Sequence, residues 1–281
     1  MRVIPEQHRR AQSLAFPVVC ILVLLFLLQT GCGGRPGNEP ETLTVFAAAS
    51  LSDVLLEIGR EFEEVQGVKA VFNFAGSNVL ASQILSTPRA DIFLSASEAW
   101  MDEVEEKERL EPGTRVSFLS NALVVVAHPG SGSTLGGAGG LCGLDFKRLA
   151  MGDPESVPAG RYAREWLESV PCGEGTLWDR VKDRLSPTSD VRGALAQVES
   201  VRGMVGVVYR TDLFRFADRL ETLLEIPADK GPVISYSAAV VKGSRQTNLG
   251  RLFLEFLQSD EAWMIFEKHG FLKSGKEESR G

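Results

Sequence analysis

The sequence predicts an α/β protein of two lobes, each a doubly wound, mainly parallel sheet with flanking helices, and a ligand cleft between them. Three observations point there. From Glu41 onward, short apolar runs of strand character alternate with stripes of helical period, joined by short links. This body is about 240 residues long, enough for two domains of ordinary size. The strongly apolar run at 121–127 opens a second group of elements, and the run at 233–241 returns to the first. Lobe 1 is therefore expected from residues 41–120 plus 233–272 and lobe 2 from 121–232, with a disordered charged tail at 273–281.

The elements follow in order. Leu43-Thr-Val-Phe-Ala-Ala48 reads as a buried strand. Leu51, Val54, Leu55, Ile58, Phe62 and Val65 then recur at the helical period, Ser50 stands three residues before Asp53 in an approximate capping box, and Gly67 closes the helix. A second strand covers 68–74, and Ser77 or Asn78 opens a helix running through Leu85. Pro88 ends a polar turn before a strand at 90–95, and 99–106 is helical. In the second group, 121–127, 149–152, 205–209 and 223–226 are strands, and 130–143 is a Gly/Ser-rich surface loop. Helices are expected at 161–170, 178–185 and 191–201. A strand at 233–241 and helices at 248–258 and 260–268 complete the chain.

The first residues are an address. Arg2, Arg9 and Arg10 precede a 15-residue apolar run from Leu14 to Leu28, shorter than the roughly 20 residues a membrane span needs. Gln29-Thr-Gly-Cys32 follows, with a small residue before cysteine, although Gln29 stands where the usual lipoprotein signal carries an aliphatic residue. We read 1–31 as a lipoprotein-type signal peptide, Cys32 as the acylated first residue and 32–40 as a flexible tether. The exported chain is then lipid-anchored at the extracytoplasmic face of a membrane, in the periplasm or at the cell surface. Export removes three arginines and one glutamate, taking 30 basic and 37 acidic residues to 27 and 36, a net charge of −9. An acidic chain without a basic block is no nucleic-acid binder, and any anion it holds is held by local dipoles. Cys142 and Cys172 lie in Gly-flanked stretches of an exported chain, where disulfides persist. A bridge between them and two separate thiols are both open. Neither has a histidine at metal-ligand spacing, so no metal site and no cofactor is expected.

The segments that carry chemistry hold no nucleophile–base pair and no phosphate-cradling lysine. Ala47-Ala-Ala-Ser-Leu51 and Phe74-Ala-Gly-Ser77 each set a small hydroxyl residue between a strand and a helix. Helix starts offer unpaired N–H groups and the positive end of the dipole, which together hold a dehydrated anion without a counter-charge. The plainer reading of Ser50 or Ser77 alone is a cap serving its own helix. In Gly152-Asp-Pro-Glu-Ser-Val-Pro-Ala-Gly160, Ala159 has only its N–H to offer; a turn built for packing is the plain alternative. Asp190 reads as an N-cap, leaving the N–H of Val191 unpaired. Tyr209 ends the run Met204-Val-Gly-Val-Val208, and a buried tyrosine needs a partner for its hydroxyl: backbone, or an anion oxygen.

Several of these blocks, with Asp190-Val-Arg-Gly-Ala-Leu-Ala-Gln-Val-Glu199, Pro88-Arg-Ala-Asp-Ile-Phe-Leu-Ser-Ala96 and Gly206-Val-Val-Tyr209, resemble the periplasmic molybdate-binding proteins of ABC importers, in consistent order from about Leu43 to Phe271. The resemblance implies the type II periplasmic-binding-protein fold. It implies molybdate, or tungstate, as the ligand, held by hydroxyls and main-chain N–H groups alone. Matched motif by motif, the ligands are Ser50 through hydroxyl and N–H, Ser77 through its hydroxyl, Ala159 and Val191 through N–H, and Tyr209 through its hydroxyl. It further implies a membrane permease and its ATPase as partners, and a monomer. The sequence departs from the family at Gly76, where many members carry another hydroxyl residue, and at Cys172-Gly-Glu-Gly175, which reads as an insertion away from the cleft.

An all-donor site selects by protonation. A fully ionised oxyanion only accepts hydrogen bonds, whereas a protonated phosphate leaves its proton unpaired at about 1–3 kcal/mol. Sulfate passes that test, so its rejection rests on cavity size. The competing readings are a sulfate or phosphate receptor and, from another class, a secreted hydrolase with Ser50 or Ser77 as nucleophile. The hydrolase needs a base, and past the signal only His128 and His269 are at hand, each simpler as a surface residue.

Overall fold

The computed structural model describes residues 41–87, 89–130, 135–216 and 218–274. The predicted signal peptide, Cys32, the tether and residues 275–281 of the predicted tail lie outside the described residues.

The first sheet begins with β1 (Thr42–Ala48), where Leu43, Val45 and Ala47 are fully buried. A 3-10 turn, Ala49–Leu51, leads into α1 (Ser52–Gln66). Its stripe Val54, Leu55, Ile58 and Phe62 is buried, each side chain contributing roughly 1.5–3 kcal/mol. Gly67 ends the helix in the left-handed region at φ 68°. The alternation continues through β2 (Lys69–Ala75), α2 (Ser77–Ser86), β3 (Ile92–Ser95) and α3 (Glu98–Glu106), and β1 pairs in parallel with both β2 and β3. β4 (Val116–Ser120) is the last strand before the chain changes sheet.

The second sheet takes β5 (Leu123–Ala127), every residue of which is buried, then β6 (Arg148–Gly152). After α4 (Pro158–Ser169) come the hairpin β7 (Pro171–Cys172) and β8 (Gly175–Thr176) and the short α5 (Leu177–Val181). β9 (Leu185–Thr188), α6 (Val191–Ser200), β10 (Met204–Tyr209) and β11 (Glu221–Glu225) complete it. The chain then returns to the first sheet through β12 (Tyr236–Val240), adds α7 (Thr247–Leu257) and α8 (Asp260–Lys268), and ends in β13 (Leu272–Lys273). Strand order is β13-β4-β12-β3-β1-β2 in one sheet and β11-β5-β10-β6-β9 in the other. Phe62 and Phe253 meet edge to face at 4.9 Å, joining α1 to α7.

The fold class is the one expected, an α/β protein of two sheets with flanking helices, but the sheets are mixed rather than mainly parallel. β12 pairs antiparallel with β3 and β4, and β5 does so with β10 and β11, because each sheet receives strands that enter from the other lobe or close an edge. β4 and β9 are not among the expected strands. In β4 only Leu119 is buried, so little alternation marks it. β9 carries Pro187 on the sheet edge, where a missing N–H is tolerated, and the helix expected at 178–185 stops at Val181. α4 starts at Pro158 instead of 161, with the proline in its first turn. Lys273 belongs to β13, paired with Leu119, and not to the tail. Cys142 and Cys172 are joined by a disulfide that ties the 3-10 turn Ala138–Cys142 to β7. The Cys172–Gly175 segment is the β7–β8 hairpin.

Candidate functional site

Five chain segments end at one place. The turn after β1 brings Ser50, the turn after β2 brings Ser77, and these come from the first sheet. The loop after β6 brings Ala159, the loop after β9 brings Val191, and β10 ends in Tyr209, all from the second. All five line a single cavity of about 20 Å³. Clefts for organic ligands run to roughly 300–1,000 Å³, so this space suits a compact ion. Among the described residues Asp190 is the only charged one in its lining, and that carboxylate caps α6 by accepting from the Gly193 N–H at 2.9 Å.

The five residues offer backbone N–H groups and hydroxyls to the cavity. Ala159 and Val191 lie in the first turns of α4 and α6, where helical N–H groups have no partner within the helix. A Cβ at Gly160 would stand 2.2 Å from the Gly152 carbonyl oxygen, so only glycine lets the start of α4 rest against the end of β6. Ser77 Oγ accepts from the Ala96 N–H at 3.0 Å, which leaves its proton for the cavity. Ser50 Oγ lies 3.1 Å from Tyr236 Oη. The Tyr209 hydroxyl is buried and, among the described residues, has no hydrogen-bond partner. Burial holds its pKa well above the usual tyrosine value, so it stays protonated and a donor.

One expectation changes. Ser50 does not cap α1: the N-cap is Leu51, without a side-chain bond, and the serine sits within the 3-10 turn. Asp53, in the first turn of α1, pairs with Arg192 of α6 at 2.6 Å, across the two sheets. The candidate bases stand elsewhere. His269 pairs with Glu57 at 2.9 Å, His128 Nδ1 lies against the Pro129 carbonyl, and neither lines the cavity.

The profile of the bacterial extracellular solute-binding proteins matches residues 43–272. The chain belongs to this family. Among its relatives, the molybdate-binding protein of Escherichia coli is 37% identical over 248 residues, covering 87% of this chain and 94% of that one. Among solved structures, the periplasmic molybdate-binding protein of Azotobacter vinelandii aligns with a TM-score of 0.73 at 20% identity, over 82% of this chain and 98% of that one. The sulfate-binding protein of Mycobacterium tuberculosis aligns with a TM-score of 0.71 at 12% identity, over 84% and 88%. At such identities the two structures speak for the fold alone. Family membership makes the chain a solute-binding protein and not an enzyme.

This solute-binding protein also carries groups around the cavity that sequence reasoning missed. Arg192 stands beside Val191, yet its charge is taken up by Asp53 and by Asp212 at 3.3 Å, which leaves the cavity without a counter-ion. Asp212 is fully buried, and burial pushes its carboxyl up to about 7 against the pull of Arg192 and of the Tyr209 N–H. Trp100 Nε1 of α3 donates to the Ser156 carbonyl ahead of α4 at 2.8 Å, a second contact between the sheets. Asn121 and Tyr236 bond to each other behind Ser50. A tyrosine between serines in Ser235-Tyr-Ser237 on an apolar strand is the one signal in the sequence that points to any of these.

Proposed function

We propose that this solute-binding protein captures molybdate, and tungstate with it, in the cavity between its two sheets and delivers it to an ABC importer, meeting a permease whose ATPase drives uptake. The observation that carries the reading is a small, counter-ion-free cavity whose facing groups are donors, among them the buried Tyr209 hydroxyl without a partner. Ser50 gives hydroxyl and N–H, Ser77 its hydroxyl, Ala159 and Val191 their N–H groups, and Tyr209 its hydroxyl. The relative in Escherichia coli, named a molybdate-binding protein, supports the choice of ion. The protein acts as a monomer outside the cytoplasm, held to a membrane by lipid on Cys32, in keeping with the signal read in 1–31.

Sulfate is the second reading. It rests on the likeness to a sulfate-binding protein of the same fold and on the fact that a dianion without protons satisfies every donor. Calorimetric titration of the purified full chain with molybdate, tungstate, sulfate and phosphate separates the two. One-to-one binding of the first two, with sulfate weaker by about a hundredfold, a difference of about 2.7 kcal/mol, is the expected result. Sulfate or phosphate binding best would overturn the choice of ion and keep the fold.

A further inference from the structure

We propose that Asn121 and Tyr236 are positioning residues that fix the direction of the Ser50 hydroxyl, making it a donor toward the cavity. The inference rests on the oxyanion reading and adds residues that do not line the cavity. It starts from the orientation of one amide. Asn121 Oδ1 accepts from the Ala122 N–H at 2.9 Å, so Nδ2 is the end that faces away. Nδ2 has two protons and two partners: Thr211 Oγ1 at 2.8 Å and Tyr236 Oη at 3.1 Å. The tyrosine oxygen is therefore an acceptor on that side, and its own proton is directed to Ser50 Oγ at 3.1 Å. The reverse polarity, with Ser50 donating to Tyr236, would strand the tyrosine proton in a fully buried place. With its lone pair engaged from behind, Ser50 presents its hydrogen to the anion.

The chain of bonds also spans the fold. Tyr236 opens β12 in the first sheet, Asn121 stands in the crossing between β4 and β5, and Thr211 follows β10 of the second sheet. Four side chains from 50, 121, 211 and 236 meet in a region where all four are buried. Ser77 is set by a backbone N–H from its own sheet, whereas Ser50 is set through the crossing strand, so the donor state of Ser50 depends on that crossing being in place.

A double-mutant cycle tests this. Molybdate binding by the purified full chain is measured calorimetrically for the wild type, Tyr236→Phe, Ser50→Ala and the double variant, with ligand-free melting alongside. Tyr236→Phe is expected to weaken binding by about tenfold in the wild-type background and to have almost no effect once Ser50 is alanine. Asn121→Ala, run through the same cycle, is expected to repeat the pattern and serves alone if Tyr236→Phe does not fold. An equal penalty for Tyr236→Phe in both backgrounds would assign it a merely structural role and overturn the proposal, as would unchanged binding by Tyr236→Phe. A wild type that binds neither molybdate nor any other oxyanion would overturn the oxyanion reading itself, a result distinct from the other two.

Discussion

Tyr209 illustrates how a single buried atom separates stability from function. Its hydroxyl is buried without a partner among the described residues, a penalty on the fold. Tyr209→Phe removes that penalty, so the ligand-free protein is expected to melt later, by about 1 kcal/mol or more of added stability. The same change deletes a bond to a charged ligand, worth roughly 1.5–3 kcal/mol, so molybdate binding is expected to weaken by about 10- to 150-fold. Melting curves and titrations check the two signs together; a variant that loses both stability and affinity would remove the hydroxyl from the ligand set. Asp212 gives a second prediction. Its carboxyl rises from 3.8 to about 7 on folding, chiefly through burial, so ionising it disfavours the fold. That penalty is absent below about pH 4 and grows up to about pH 7, at no more than about 1.4 kcal/mol per unit. The stability of Asp212→Asn relative to wild type is thus expected to rise with pH across that window and level off above it. Urea midpoints from pH 4 to 8 show it, and a relative stability of Asp212→Asn that falls as pH rises would refute it. At this scale the residues that line the cavity were legible in the sequence, because strand, small hydroxyl and helix follow one another locally. Their supports were not: Ser50 meets Tyr236 across 186 positions and Asp53 meets Arg192 across 139, distances no local pattern spans.

At the scale of elements, function depends on where helices begin. α4 and α6 both start at the ends of strands and both present their first turns to the cavity. Gly160 and the Asp190 cap are the local chemistry that fixes those starts. Such signals are visible in sequence, as is the helical stripe of α1, while β9 was hidden because an edge strand with a proline shows neither alternation nor a continuous apolar run. The Cys142–Cys172 bridge is the element-level feature the sequence left open, since two cysteines 30 positions apart do not reveal their separation in space. The two cysteines stand outside the cavity lining, while the segment they close carries Val157, Pro158 and Ala159, which line it. Loop-closure entropy for that span predicts a loss of about 3–4 kcal/mol when both cysteines become serine. Denaturant unfolding is expected to shift by that amount while molybdate affinity holds. A large loss of affinity would mean that the bridge shapes the cavity after all.

For the whole molecule, the decisive quantity is how closely the two sheets approach around the cavity. Three contacts measure it: Asp53 with Arg192, Trp100 with the Ser156 carbonyl, and Gly76 against the Ser189 carbonyl. The third has no slack. A Cβ at Gly76 would lie 2.7 Å from the Ser189 oxygen and 2.5 Å from Asn78 Oδ1. The asparagine side chain can rotate away, but the Ser189 carbonyl belongs to the backbone that leads into α6, and it yields only if the second lobe moves. Gly76 precedes Ser77, and Ser189 precedes Asp190 and Val191, so the clash falls beside two members of the donor set. Gly76→Ala is therefore expected to hold the lobes apart by a few tenths of an ångström. The N–H groups of Ala159 and Val191 and the Tyr209 hydroxyl would then stand off from an ion seated on Ser50 and Ser77. Parting of the lobes relieves the clash when no ion is bound, so ligand-free stability is expected to fall by less than the binding energy does. Affinity should fall by at least about tenfold, which lowers the stabilisation by saturating molybdate by about 1.4 kcal/mol at a fixed ion concentration. Melting with and without molybdate reads both quantities in one experiment. Unchanged affinity would show that the lobes close on the ion without passing through this contact. A fall in ligand-free stability as large as the fall in binding would place the effect in the first lobe alone.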